Sequence, residues 1–196
     1  MRKANDFKKV FCLEGLWESN LKNNSSVEPV LSLLNKQYPR MNYIYKDCAT
    51  KTELCFYLKK WVQKTYDDFP ILYLAFHGEE EIIHLSDGAM KILEIAELLK
   101  GSCKNRIIVF SSCSTLNIDK KLIKSFIKIT ECLAVCGYRS DVDWVKSTAF
   151  ELLLLEGMQN NEFSGRGIEP IKNYLLELGN NSFSDLKFSI VTYKEK

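Results

Sequence analysis

The sequence alternates between short, uninterrupted apolar runs and longer segments in which apolar residues recur every three or four positions. The short runs predict six buried strands, and the longer segments predict six helices between them. The predicted strands are Lys9 to Glu14, Asn42 to Asp47, Ile71 to Phe76, Arg106 to Ser111, Leu133 to Tyr138 and Lys187 to Thr192. Strands and helices that alternate in this way predict a three-layer α/β/α sandwich with a mostly parallel six-stranded sheet.

Local sequence signals predict where several of these elements begin and end. The patterns Ser25-x-x-Glu28 and Thr50-x-x-Glu53 are typical of capping boxes, and each precedes an amphipathic helical segment. Gly101 follows the third helical segment and is expected to end it. After the third strand, Asp87-Gly88 lies between two short apolar segments and predicts a small β-hairpin.

Composition narrows the classes of protein to which the chain can belong. The 196 residues include 46% apolar residues, and 27 basic against 25 acidic side chains give a net charge of +2. This composition predicts one globular domain over residues 1–196, and it argues against binding to nucleic acid or to a membrane surface through charge. No apolar run approaches the roughly 20 residues of a membrane-spanning helix.

Cysteine and histidine usage bears on compartment and cofactors. Seven cysteines without a repeated spacing predict reduced thiols. Met1 to Asp6 lacks the apolar core of a signal peptide, so a cytoplasmic location is expected. With two histidines and no CxxC pair no metal site is expected, and without GxGxxG or GxxxxGK[ST] no nucleotide cofactor is expected.

Two strand ends carry the residues that point to chemistry. His77-Gly78 follows the third strand, and Ser112-Cys113-Ser114 follows the fourth. Sequential strands are neighbours about two-thirds of the time, and ligands bind at the carboxyl ends of parallel strands. A Cys/His dyad with Cys113 as nucleophile and His77 as acid/base is therefore predicted, with the Gly78 and Cys113 amides as oxyanion donors. Taken singly, a histidine that ends a strand is more often a structural polar cap, and a cysteine is more often a packing residue.

These residues resemble the caspase-like cysteine peptidases, which include caspases, metacaspases, separase and the bacterial CHAT proteins. The resemblance lies in the two strand-end motifs and in the order of strands and helices around them. It implies a cysteine peptidase in which Cys113 attacks the substrate and His77 exchanges protons. The sequence Gln-Ala-Cys-Arg-Gly is absent, and His77 lies 36 residues (113 − 77) before Cys113 instead of about 50. The shorter spacing and Ser-Cys-Ser are more similar to the CHAT branch.

The residues after the fifth strand bear on substrate preference. Family members that cut after Arg or Lys carry an acidic residue near this strand end, and Asp141 is similar in position. Arg139 would instead accept an acidic side chain, as in caspases. Asp143 is expected to cap the following helix. For Asp141, substrate binding and a purely structural role remain open.

The sequence therefore predicts a regulated cysteine endopeptidase that cleaves a protein or peptide substrate, with a basic residue before the cleaved bond. Its small size implies activation by a partner protein or a small-molecule signal. The resemblance to bacterial relatives implies a role in antiviral defence or cell suicide. The alternative is a non-catalytic caspase-like or flavodoxin-like module that binds a partner or a nucleotide signal in the same cleft.

Overall fold

The computed structural model of the protein describes residues 7–38 and 41–195. The expectation about a signal peptide concerns Met1 to Asp6, which lie outside the described residues. The strands are β1 (Val10–Glu14), β2 (Tyr43–Asp47), β3 (Ile71–Ala75), β4 (Gly78–Glu79), β5 (Ile82–Leu85), β6 (Gly88–Lys91), β7 (Ile107–Ser111), β8 (Ala134–Tyr138) and β9 (Phe188–Thr192). The α-helices are α1 (Glu28–Gln37), α2 (Lys51–Trp61), α3 (Ile92–Leu98), α4 (Lys120–Thr130), α5 (Trp144–Gly157) and α6 (Ile168–Ser182).

The main sheet has six strands in the order β2-β1-β3-β7-β8-β9. Every neighbouring pair is parallel except β8 and β9, which are antiparallel. The six predicted strands are confirmed, each within one residue at one end. The carboxyl ends of β1, β3, β7 and β8 therefore lie along one edge of the sheet.

Helices cover both faces of the sheet, which confirms the predicted α/β/α sandwich. Alternate strand residues enter two separate cores: Val10 and Cys12 face α1, α5 and α6, whereas Phe11 and Leu13 face α2, α3 and α4. All five residues of β3, β7 and β8 are buried, as expected for central parallel strands. Within the described residues, no helix is long and apolar enough to cross a bilayer.

The two predicted capping boxes differ in outcome. At α2, Thr50 accepts a hydrogen bond from the Glu53 amide and the Glu53 carboxylate accepts from the Thr50 amide, which confirms the prediction. At α1, the Ser25 capping box is wrong: Val27 is the cap residue, its side chain makes no capping hydrogen bond, and the Glu28 amide donates to the Ser26 hydroxyl at 3.0 Å. The reason is tertiary, because the Glu28 carboxylate accepts a hydrogen bond from the Tyr43 hydroxyl of β2 instead.

The predicted hairpin after β3 is confirmed as part of a three-stranded antiparallel sheet, β4-β5-β6. Leu85 pairs with Gly88, so Ser86 and Asp87 form the turn. Gly88 has φ +126°, a value that favours glycine. The Asp87 carboxylate accepts a hydrogen bond from the Lys51 amide at 3.0 Å, which ties the turn to the start of α2.

Candidate active site

The register of β3 and β7 places His77 beside Cys113. Ala75 pairs with Ser111 at the end of the parallel ladder, and the Phe76 amide donates to the Ser111 carbonyl at 3.3 Å. His77 and Cys113 each follow this last pair by two residues, so they occupy equivalent positions at the sheet edge. His77 is exposed and Cys113 is half-buried. Both side chains are therefore open to solvent at the same edge of the sheet. We call this edge, which carries His77, Gly78, Cys113 and Ser114, the rim.

Gly78 brings the His77 segment against the Cys113 segment. A Cβ atom at Gly78 would lie 2.2 Å from Thr115 Oγ1, 2.9 Å from Ser112 Cβ and 3.0 Å from the Cys113 carbonyl oxygen. Real Cβ atoms do not approach other atoms this closely, so the two chain segments meet only because residue 78 lacks a side chain. This contact is the direct link between the two predicted strand-end motifs.

The turn after Cys113 is held in a conformation that is uncommon for a residue other than glycine. Ser114 has φ 52°, in the left-handed region. The Ser114 amide donates to the Ser140 carbonyl at 3.0 Å, and its hydroxyl donates to Asp141 Oδ1 at 2.9 Å. These two bonds to the end of β8 stabilise the turn. Backbone strain of this kind is concentrated at functional sites, where the surrounding structure maintains it.

The imidazole of His77 is oriented by a backbone carbonyl. Nε2 of His77 lies 2.7 Å from the carbonyl oxygen of Trp17, in the loop after β1. A carbonyl oxygen only accepts, so Nε2 carries the proton and donates it to this bond. In the neutral ring, Nδ1 is then the nitrogen that can take a proton. The Trp17 ring also packs on the imidazole in an edge geometry, with 5.1 Å between ring centroids.

No hydrogen bond joins the His77 imidazole to the Cys113 thiol among the described residues. Such separations are common in resting cysteine and serine hydrolases, where the catalytic bonds tighten on substrate binding. The two groups therefore share a rim without being engaged with each other.

Two backbone amides at the rim are candidate oxyanion donors. The His84 amide donates to the His77 carbonyl at 2.9 Å, which makes Gly78 and Ile83 a pair that exchanges no hydrogen bonds. The Gly78 amide is thus outside the β4–β5 ladder. In the part of the chain that the structure describes, the Cys113 amide also donates to no protein acceptor.

Burial separates the seven thiols into two groups. Cys113 and Cys55 are half-buried, and the other five are buried. Burial raises the pKa of each of these five thiols, to about 12 for Cys48 and Cys132. A thiol with a raised pKa forms little thiolate at neutral pH, so these five are poor nucleophiles. Cys55 lies on α2, which leaves Cys113 as the accessible thiol at the sheet edge.

The remaining candidate residues are placed as follows. Asp141 is exposed, and its Oδ1 accepts a hydrogen bond from the hydroxyl of Ser114, the residue after Cys113. Asp143 accepts from the Lys146 amide at 3.0 Å and caps α5, as predicted. Arg139 is exposed at the end of β8.

The second histidine belongs to the three-stranded sheet. His84 lies on β5, with Nε2 3.3 Å from the Glu79 carboxylate. Within residues 7–38 and 41–195, no group of three potential metal ligands was found.

The chain was compared with known proteins on the basis of its sequence. The model of the family of unknown function DUF6642 matches residues 7–175. The chain belongs to this family. A comparison with curated proteins found no match. The DUF6642 match includes the rim together with Trp17 and Asp141, so the candidate site lies wholly inside the family's shared segment.

Sequence reasoning missed two residues of the site, Trp17 and Glu14. Trp17 acts through a backbone carbonyl, which every residue has, so no pattern of residue types could have indicated it. Glu14 did carry a signal: it is a charged residue that ends an apolar strand, and it is 2% exposed. Charged residues are almost never fully buried without partners, so its position predicts a specific set of hydrogen bonds.

Proposed function

We propose that this member of DUF6642 is a cysteine endopeptidase in which Cys113 is the nucleophile and His77 is the general acid/base. The observation that carries the proposal is the β3–β7 register, which puts His77 and Cys113 at equivalent positions of one sheet edge. The orientation of His77 by the Trp17 carbonyl and the close approach of Gly78 to the Cys113 segment support it.

In the proposed mechanism, Nδ1 of His77 takes the proton of the Cys113 thiol. The resulting thiolate forms a bond to the carbonyl carbon of the substrate, and the carbonyl π-electron pair moves to oxygen. The Gly78 and Cys113 amides donate to this oxyanion, and removal of one such donor slows other hydrolases by a factor of about 10² to 10³. The carbon–nitrogen bond then breaks, and His77 gives its proton to the departing amine.

The second half of the reaction hydrolyses the thioester. His77 takes a proton from water as the hydroxide oxygen bonds to the thioester carbon. The carbon–sulfur bond breaks, the new carboxyl group leaves, and the proton returns to the thiolate. The reaction consumes one water and requires no metal, oxidant or other cofactor.

We propose a preference for a basic side chain before the cleaved bond. Asp141 is the candidate partner, because it is exposed and contacts Ser114, the residue after the nucleophile. The exposed Glu79 and Glu80 next to Gly78 add to the negative charge of this region. Arg139, which lines a groove of about 370 Å³ with Lys187, favours the opposite preference, for an acidic side chain. A peptide panel that contains both types decides between them.

The proposal extends to regulation and location. A rim whose imidazole and thiol share no hydrogen bond fits an enzyme that a partner protein or a small-molecule signal activates. Unpaired thiols throughout the described chain fit the reducing cytoplasm. By resemblance to the bacterial CHAT proteins, the process served is antiviral defence or cell suicide.

The test uses the wild-type chain, Cys113→Ala and the matched control Cys55→Ala. Each is incubated with peptides that carry Arg, Lys or Asp before the cleavage point, and products are identified by mass spectrometry. We expect wild type and the control to cleave at the same rate, which is low because the activator is absent, and Cys113→Ala to lose cleavage by a factor of about 10³ or more. Cleavage that survives in Cys113→Ala would contradict the mechanism.

A second measurement needs no substrate. Iodoacetamide alkylation of Cys113 and Cys55 is followed in wild type and in His77→Ala. Cys113 is expected to react faster than Cys55 in wild type, and His77→Ala is expected to slow Cys113 alone. Equal rates at both thiols, unchanged by His77→Ala, would favour the alternative of a non-catalytic module that binds a partner or nucleotide signal.

A further inference from the structure

Glu14 is a buried carboxylate to which the proposed mechanism gives no role. It ends β1 and accepts four hydrogen bonds. Oε1 accepts from Trp17 Nε1 at 2.5 Å and from the Val27 amide at 2.7 Å, and Oε2 accepts from the Ser26 hydroxyl and the Tyr45 hydroxyl, both at 2.6 Å. An ionised carboxylate is an acceptor only, with about four lone-pair sites, so these donors fill its capacity.

The four donors tie the segment 15–27, which joins β1 to α1, to the edge of the sheet. Trp17 lies near the start of this segment, Ser26 and Val27 lie at its end, and Tyr45 belongs to the neighbouring strand β2. One side chain therefore holds both ends of the segment. A buried donor or acceptor that loses its hydrogen-bond partner costs free energy. Other conformations of segment 15–27 that break these bonds are therefore disfavoured.

Trp17 connects this carboxylate to the active-site histidine. Its indole N–H donates to Glu14, its carbonyl accepts from His77 Nε2, and its ring packs on the imidazole. Because one residue makes all three contacts, the position of the Trp17 carbonyl depends on where Glu14 holds the indole.

We infer that Glu14 is a positioning residue: by holding the Trp17 indole, it keeps the Trp17 carbonyl on Nε2 of His77 and so selects the tautomer in which Nδ1 accepts a proton. The use of Nδ1 as a base rests on the proposed function. The selection of the tautomer does not, because it follows from the hydrogen bonds of Glu14, Trp17 and His77 alone.

The test is the tautomer ratio of His77, measured by ¹⁵N NMR of the imidazole at about pH 8.5, where an ordinary imidazole is neutral. The chain has two histidines, so a His84→Asn variant assigns the signals. Wild type is expected to carry the proton on Nε2. Glu14→Leu keeps a side chain of similar size but removes both acceptor oxygens, and the loss of the hydrogen bond to the Trp17 indole is expected to shift the ratio towards Nδ1–H by about threefold to tenfold.

Glu151→Leu is the matched control, because Glu151 is also 2% exposed and also accepts several hydrogen bonds, but none from Trp17. We expect it to keep the wild-type tautomer ratio, so a general loss of packing cannot mimic the effect. Trp17→Phe keeps the carbonyl and an aromatic ring while removing the indole N–H, and it is expected to shift the ratio in the same direction. Trp17→Phe remains the test if Glu14→Leu does not fold.

An unchanged tautomer ratio in a folded Glu14→Leu or Trp17→Phe protein would overturn the inference, as would a wild-type His77 protonated on Nδ1. The measurement involves no peptide. A shifted ratio together with no cleavage of any peptide would support the role of Glu14 and remove the peptidase. An unchanged ratio together with cleavage that depends on Cys113 would do the reverse.

Discussion

At the scale of single residues, the rim is built from groups whose positions leave little freedom. His77 has its ring fixed by a carbonyl and by an indole edge. Ser114 holds a left-handed turn directly after Cys113. Gly78 lies where any side chain would overlap Thr115 and Ser112. Each constraint narrows where the Cys113 Sγ, the His77 Nδ1 and the Gly78 and Cys113 amides can lie, which is the preorganisation that the proposed mechanism requires.

The clearest prediction at this scale concerns Gly78. Gly78→Ala introduces a Cβ 2.2 Å from Thr115 Oγ1, so the His77 and Cys113 segments must move apart. We expect a loss of about 1–3 kcal/mol in the free energy of unfolding, the range for overpacking. Urea denaturation measures it.

Gly179 provides the control for this substitution. It lies on α6, and an added Cβ would make only ordinary contacts, the nearest at 3.4 Å to Phe188. Gly179→Ala is expected to stabilise the protein by about 0.5–1 kcal/mol, because alanine loses less conformational freedom in a helix. Equal effects of the two substitutions would contradict the close contact at Gly78.

At the scale of elements, a capping box predicted from the sequence forms only where its side chains and amides have no tertiary hydrogen-bond partners. The Thr50 and Ser25 patterns are alike in sequence, but only Thr50 caps its helix. At α1, the Glu28 carboxylate accepts from the Tyr43 hydroxyl and the Glu28 amide donates to the Ser26 hydroxyl, so both parts of the Ser25 capping box bond elsewhere. Glu14 in turn accepts from the Ser26 hydroxyl and the Val27 amide, so the carboxylate that holds Trp17 also holds the start of α1.

This difference predicts unequal effects of removing the two hydroxyl groups. Thr50→Ala removes a cap that bonds the Glu53 amide, and it is expected to destabilise the protein by about 1 kcal/mol. Ser25→Ala removes an exposed hydroxyl that caps nothing, so a change within about 0.5 kcal/mol is expected. Thermal or urea unfolding of both variants checks the pair. A larger loss at Ser25 would mean that α1 is capped as its sequence alone predicts.

At the scale of the whole molecule, one buried carboxylate joins the central strands to the helical layer. Glu151 of α5 accepts hydrogen bonds from Ser111 on β7 and Tyr138 on β8 through Oε1, and from Tyr73 on β3 through Oε2. Burial raises the pKa of the Glu151 carboxyl, although the three hydroxyl donors oppose the shift. The neutral form is thus favoured in the folded protein relative to the unfolded chain.

The raised pKa of Glu151 makes stability depend on pH. Stability from this shift is fully present below the unfolded pKa, near 4.3 for an ordinary glutamate, and is lost as pH rises through the folded value. Glutamine does not titrate, so Glu151→Gln should gain stability relative to wild type as pH rises, by up to about 1.4 kcal/mol per pH unit between the two pKa values. Urea denaturation at about pH 4 and about pH 8 measures the change.

A matched variant separates this effect from the change in net charge. Glu177→Gln removes one exposed carboxylate from α6, the helix that follows α5 in the chain. The difference between the two glutamine variants should therefore grow with pH. A constant difference from pH 4 to pH 8 would show that Glu151 binds its proton equally in the folded and unfolded chain.

The sequence by itself determined the layered sheet, the order of its elements and the two strand ends that carry His77 and Cys113. It did so because buried parallel strands and amphipathic helices differ in hydrophobic period, and because the register of parallel neighbours aligns their ends. Only the tertiary structure decided how His77 is oriented. The carbonyl that orients His77 belongs to the backbone, which every residue type has, and Trp17 lies 60 residues before His77 in the chain, so no local pattern encodes this contact.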